Sequence, residues 1–329
     1  MPQKPSTNGG HRLKRNDLVM KIFFLFSDEQ EHSNAESIWD LELPMEQIRQ
    51  YLLANYGVSY RSNQWIFTQL RRYEQEVGVQ LFRKLPGSSR DEFRLAIHYP
   101  MQSFHQKRHL YVTQKIKVAN GVYDKIRNEI ALRKMARPIR ILLGAGSTVY
   151  HLATILAEKS WQDENSYSIC THNVGSLQTL LNHNVNYDRI SVSILNGTID
   201  PITYTIVGSD TSQFANMEFD FIVQGTSVVH EGSLFIESSD EKEAKQAILH
   251  KCGGTKILVV TKHEFRNTPL ANATPYGTIA DYDYVVVPRS SAGESRPQKE
   301  YDRLFDRYSH LFEPEIMNWN YNILRVVNR

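Results

Sequence analysis

The chain is predicted to fold as an α/β protein in two parts: a small helical module closed by a β-hairpin, followed by a larger unit built on a mostly parallel sheet. Three observations predict it. Between residues 17 and 100, apolar residues recur at helical spacing in three segments and then alternate in two short runs around a Pro-Gly turn. From residue 139 onward, strand-like apolar runs alternate with helix-like ones, as in a parallel sheet covered by helices. The charge divides along the same line: residues 1–135 hold 21 Lys and Arg against 14 Asp and Glu, and the remainder 17 against 22.

At 329 residues, with 41% hydrophobic and 22% charged positions, the chain has the composition of a soluble protein with room for two cores. No apolar run approaches a membrane span, and the run Leu18 to Phe26 is interrupted by Lys21. Residues 1–16 are expected to be a disordered tail, since Met1 to Gly10 is polar and lacks the apolar core of a secretory signal. Cys170 and Cys252 lack metal-ligand spacing and read as buried thiols, which suits a reducing cytoplasm. Neither a metal nor a cofactor is expected.

Leu18 to Phe26 reads as a buried helix and Ile38 to Leu43 as a short connection. A second helix follows Pro44, from Met45 to Asn55, closed by Gly57. The third starts at Ser62 as N-cap and ends before Gly78, with Ile66, Leu70 and Tyr73 on its inner face. Val79 to Lys84 and Glu92 to Ile97 then form a hairpin about Pro86-Gly87-Ser88-Ser89. Three helices and a hairpin, in that order, make a winged helix-turn-helix, assigned to residues 17–100. Its third helix would enter the major groove. Arg61, Ser62, Asn63, Gln64, Thr68, Arg71 and Arg72 lie on it or lead into it. Asn and Gln can read adenine, and Arg can read guanine or hold phosphate. Arg83, Lys84, Arg90 and Arg94 on the wing suit contacts to the DNA backbone.

Residues 101–137 form a connector whose helix, Tyr111 to Ala136, carries Ile116, Ala119, Val122, Tyr123, Ile126 and Ile130 on one side. Residues 138–329 then supply the sheet. Strand Ile139 to Leu143 runs into Gly144-Ala145-Gly146-Ser147-Thr148 and a helix to residue 159. Glycines let consecutive N–H groups converge on one ligand, and the helix N-terminus adds positive potential, so this turn reads as an anion cradle. Further strands are expected at 167–171, 190–195, 219–223, 256–260 and 284–287, with helices at 175–183 and 240–252. Polar residues gather at the strand ends: Thr171-His172-Asn173, Asn196-Gly197, Gln224-Gly225-Thr226 and Thr261-Lys262-His263. That is where open parallel sheets bind ligands.

Two stretches resemble known families. The run from Ser62 to Arg83 resembles the recognition helix of bacterial winged-helix regulators of the LysR and DeoR types, without the Arg-Asp pair of the DeoR form. The blocks ILLGAGSTVYHLATIL, ICTHN, SILNGTID, YTIVGSD, FDFIVQGTSVVHEGSLF, DEKEAKQAILHKCGGTKILVV and DYDYVVVP, over roughly residues 115–290, resemble the DeoR-type sensor domain. That resemblance implies a ribose-5-phosphate-isomerase-like fold and a sugar-phosphate or related effector. It places Gly144, Gly146, Ser147 and Thr148 in the phosphate loop, Thr171 and Asn173 in a Thr-Asn pair around His172, and Asp220 and Gly225 in a further block. Where the family has an Asp and then a Lys before Phe, this chain has Thr261, Lys262, His263, Glu264 and Phe265. Lys262 is the one basic residue left for that role, and the effector is widened to a small anionic metabolite, phosphorylated or not.

An isomerase-like enzyme on this fold is the rival reading. Moving a proton at a sugar carbon needs a placed carboxylate base, and the corresponding stretch is Gln224-Gly225-Thr226-Ser227-Val228. The chain is therefore expected to be a regulator and not an enzyme, most simply a repressor that binds double-stranded DNA as a homodimer or larger homo-oligomer. A sensor contacting RNA or protein is the remaining alternative.

Overall fold

A computed structural model describes residues 12–33, 38–87, 92–98, 103–182, 185–208, 210–215, 217–267, 273–289 and 296–327. Most of the expected tail, residues 88–91 with Ser88 and Ser89 of the expected turn and Arg90, and residues 290–295 lie outside them. The chain divides into two compact units, residues 1–101 with 295–297, and residues 102–294 with 298–329.

The first unit begins with α1 (Arg15–His32), then β1 (Glu42–Pro44), α2 (Met45–Tyr56), α3 (Asn63–Val77), β2 (Phe82–Leu85) and β3 (Arg94–Ile97). Its strands pair antiparallel in the order β1-β3-β2. Strand β1 was not expected: three residues ending in proline carry too short a pattern to be read as a strand, and only pairing with β3 makes them one. Gly57 and Gly78 end α2 and α3 at φ 65° and 69°, as left-handed C-caps. Leu18, Ile22, Phe23, Ile48, Leu52, Ile66, Leu70, Phe82 and Leu95 are buried. Phe23 packs on Phe82 with ring centroids 4.9 Å apart.

The second unit opens with α4 (Phe104–Lys107) and α5 (Val112–Arg133). Six parallel strands follow: β4 (Ile139–Leu143), β5 (Tyr167–Thr171), β6 (Ile190–Ile194), then, after a small hairpin β7 (Thr198–Asp200) and β8 (Thr205–Val207), β9 (Glu218–Gly225), and beyond it β12 (Gly253–Val259) and β14 (Tyr284–Pro288). A second small sheet joins β10 (Val228–His230), β11 (Ser233–Ile236) and β13 (Thr274–Thr278). The helices between are α6 (Ser147–Lys159), α7 (Val174–Asn182) and α8 (Lys242–Lys251). After α9 (Arg296–Asp306), strands β15 (Phe312–Met317) and β16 (Tyr321–Val326) add to the sheet antiparallel.

The large sheet therefore runs β15-β16-β14-β12-β9-β4-β5-β6. From β4 the chain winds outward to β6, and from β9 it winds the other way through β12 to β14. The switch point lies between β4 and β9. The connector helix α5 and α6 cover one face, where Val118, Val122, Ile126, Val149 and Leu152 meet Ile141, Phe221 and Val223. Helix α8 covers the other with Ala244, Ala247 and Ile248 against Leu142 and Ile222. Beyond β14, Phe305 is buried and Tyr308 and Phe312 lie against the same core, while Trp319 is exposed.

Candidate functional site

The glycine turn occupies the carboxyl end of β4, at the switch point. Gly146 caps α6 at φ 116° and ψ 157°, a conformation open only to glycine. Neither Ser147 nor Thr148 is the N-cap; both are the first residues of the helix, and Thr148 is buried. Gly144 answers a different need. A methyl group there would stand 3.0 Å from Gln224 Cγ and from the Val223 carbonyl.

Thr171, His172 and Asn173, at the end of β5, hold the turn in shape. Thr171 Oγ1 donates to the Leu143 carbonyl at 2.8 Å and accepts from the Asn173 N–H at 3.0 Å. Asn173 Nδ2 donates to the Gly146 carbonyl at 2.9 Å, and its Oδ1 accepts from the Ser176 N–H at 3.1 Å, capping α7. The Ala145 N–H donates to His172 Nε2 at 3.2 Å. Burial, and then Lys245, push His172 down to about 3, so the ring is neutral and carries its proton on Nδ1. That buried Nδ1–H has no partner among the described residues, and neither has Gln224 Nε2.

Of the expected ligand residues, Gly144, Gly146, Ser147, Thr148, Thr171, Asn173 and Gly225 come together at these strand ends. Asp220 does not. It lies in the first half of β9, where it takes two hydrogen bonds from Arg137, at 2.9 and 2.6 Å, and one from the Arg140 N–H. Burial pushes its pKa up, but these bonds more than offset that and hold the carboxyl below its usual range. Lys262 is buried in a left-handed turn at φ 73° and is paired with Asp302 of α9. Glu264 turns back on its own loop, accepting from the Thr261 N–H at 2.8 Å and its hydroxyl at 3.0 Å.

Two features had no sequence signal. Lys245 of α8 is 2% exposed, and its ammonium donates to the Gly225 carbonyl at 2.6 Å. Residues 103–111 form a strap across the same strand ends. Phe104 stacks on Tyr204 and meets Tyr150 edge-on, with centroids 5.7 and 5.6 Å apart. Lys107 pairs with Glu237 at 2.5 Å. Tyr111 stacks on His263 at 3.4 Å. Lys115 donates to the Lys107 carbonyl at 2.6 Å from the start of α5. Burial, partly offset by Glu264, brings that lysine down to about 7.

In the first unit, the Ser62 hydroxyl accepts from the Trp65 N–H at 3.1 Å and starts α3 where the sequence places it. Arg61, Gln64 and Arg72 are exposed, Asn63 and Thr68 half-buried. Arg61, Arg72 and Arg83 form no ion pair among the described residues, whereas Arg71 pairs with Glu74 at 2.7 Å and Arg94 with Glu42 at 3.0 Å. Lys84 on β2 donates to Gln64 Oε1 at 3.3 Å and sits over the Phe93 ring at 4.0 Å. Glu74 is the residue the sequence reading missed. Buried, it accepts from the N–H groups of Leu81 and Phe82 at 2.7 and 2.8 Å, fixing the start of the hairpin against α3. The basic excess of the first 135 residues does not lie in the helical module. Residues 17–100 hold 9 Lys and Arg against 12 Asp and Glu; the basic excess comes from residues 1–16, with 4 against 0, and from the connector, with 9 against 2. Within the module the signs separate: residues 61–94 hold 7 basic against 4 acidic residues.

A profile of the DeoR C terminal sensor domain matches residues 112–287. The chain belongs to this sensor-domain family. The match opens with α5 and closes in β14, so it spans the whole parallel part of the DeoR-type sheet and the glycine turn. Among solved structures, the chain is similar to ribose 5-phosphate isomerase A of Methanocaldococcus jannaschii, at 14% identity over 64% of this chain and 78% of that one, TM-score 0.30. It is similar to ribose 5-phosphate isomerase of Plasmodium falciparum, at 11% over 65% and 79%, TM-score 0.31. It is also similar to eIF2B delta of Chaetomium thermophilum, at 12% over 52% and 55%, TM-score 0.32. No curated protein matches the chain. Among the described residues no helix is long and apolar enough to cross a membrane.

Proposed function

We propose that the chain is a DNA-binding transcription regulator, a repressor in the simplest form, whose DeoR-type domain binds a small anionic metabolite at the glycine turn. The observation that carries this reading is the pairing, in one chain, of a sensor domain with a module whose exposed Arg61, Gln64 and Arg72 line the start and outer side of its third helix. Helix order and strand order in that module are those of a winged helix. Arg83 and Lys84 on β2 suit phosphate contacts. The regulator works in the cytoplasm as a homodimer or larger assembly, because paired half-sites lie about 34 Å apart on DNA.

A sensor fits the strand ends better than an enzyme does. Gln224, Gly225, Thr226 and Ser227 follow each other there without a carboxylate. Of the nearby acids, Glu237 is paired with Lys107, and Glu264 is bonded to Thr261. Gel-shift titration on the DNA upstream of the chain's own coding region tests the proposal. Sequence-selective binding that weakens steeply with salt is expected. Absence of selectivity over random DNA would overturn it.

A further inference from the structure

We propose that Lys245 supplies the positive charge for the effector, bringing its ammonium into contact with an anionic oxygen held at the glycine turn. The inference rests on the effector-site reading above and assigns its cation. Lys245 reaches the switch point from α8, on the face of the sheet opposite α6. Its target, Gly225, closes β9 beside the turn: a methyl group on Gly225 would stand 3.9 Å from the Ala145 carbonyl.

The chemistry around Lys245 is one-sided. An ammonium has three donors, and here one of them is used on the Gly225 carbonyl. No carboxylate lies within ion-pair distance among the described residues. Glu241 acts on it only as a more distant charge, while the ammonium also lies over the Tyr276 ring at 4.9 Å. Burying a cation without a contacting counter-ion is costly. The neighbours add donors, not acceptors: Tyr282 donates to Gln224 Oε1 at 2.7 Å and so leaves Gln224 Nε2 unpartnered, and His172 Nδ1–H is unpartnered as well. The first N–H groups of α6 face the same strand ends. An incoming oxyanion is the group this surplus of donors lacks. Lys262, the basic residue the sequence pattern favours, is already neutralised by Asp302.

The test uses the full chain with inorganic phosphate and, separately, acetate as probes, read by thermal stabilisation and calorimetric titration. Lys245→Gln keeps a donor to Gly225 and removes the charge; Lys245→Arg keeps the charge. Lys245→Gln is expected to weaken probe binding by about tenfold or more, Lys245→Arg to retain most of it, and Lys262→Gln to change it less than about twofold. Gly146→Asp, which sets a carboxylate in the turn, is expected to abolish probe binding; if it does while Lys245→Gln binds as wild type, Lys245 is removed and the site remains. Wild type that binds neither probe would overturn both.

Discussion

Asn173 ties the ends of two strands together: one amide end donates to the Gly146 carbonyl at 2.9 Å while the other caps α7 through the Ser176 N–H at 3.1 Å. The two bonds can be separated by substitution. Asn173→Asp keeps the cap, since a carboxylate accepts well at a helix N-terminus, but it cannot donate to Gly146 and sets a negative charge beside the turn. Stability within about 1 kcal/mol of wild type and loss of phosphate binding are expected. Chemical denaturation and calorimetry check the pair.

The two turn glycines should fail differently. At Gly146 an added methyl meets nothing within 4 Å, so Gly146→Ala costs only backbone strain, about 1–3 kcal/mol. At Gly144 the methyl would press on Gln224 Cγ and the Val223 carbonyl. Gly144→Ala is expected to shift the strand end itself. Amide chemical shifts of Val223 and Gln224 should move in Gly144→Ala and stay in place in Gly146→Ala.

Glu74 links α3 to the hairpin. Removing it in Glu74→Ala leaves the buried N–H groups of Leu81 and Phe82 unpaired, at about 1–3 kcal/mol each. Lost DNA binding with unchanged phosphate binding is the expected outcome, because the two units have separate cores. Loss of both activities would contradict it.

Arg72 and Arg71 are neighbours with different duties. Arg72 is exposed and unpaired among the described residues, whereas Arg71 is held by Glu74. In salt titrations of DNA binding, Arg72→Ala should lower the slope of log affinity against log salt by about 0.9 per lost phosphate contact. A base contact instead would weaken one sequence selectively and leave the slope unchanged.

Acid should destabilise the second unit early. Burial, followed by Lys245 for His172 and by Lys115 for His151 and His263, lowers each of these rings to about 3. Their folded values lie below the unfolded value near 6.5, so the unfolded chain binds more protons between those limits. Stability is full above about pH 6.5 and falls as pH drops toward 3, by about 1.4 kcal/mol per pH unit for each ring. His172→Asn should flatten that slope over pH 6 to 4, as measured by urea denaturation.

Local signals carried far into this fold. Ser62 and Gly78 bound α3 because a hydroxyl can cap the first N–H groups and glycine can take φ 69°. Alternating apolar runs placed the parallel strands to within a few residues, since a strand buried on both faces tolerates little else. Strands β1, β7, β8, β10, β11, β13, β15 and β16 carried no signal strong enough to be expected. Most are three to five residues long, and their pairing partners are set by tertiary packing. Asp220 and Lys262 show the same limit at the site. Their residue types suit ligand binding, yet Arg137 and Asp302, both distant in sequence, already occupy them.

By itself the amino-acid order determined the two-part architecture, the helix caps, the sheet's parallel pattern and the glycine turn, all of which depend on periodicity or on one residue's backbone freedom. Only the tertiary structure decided which charges remain unpaired at the switch point. A charge's availability depends on what the fold brings within about 4 Å of it, and that is how Lys245, silent in the sequence, came to stand beside the turn.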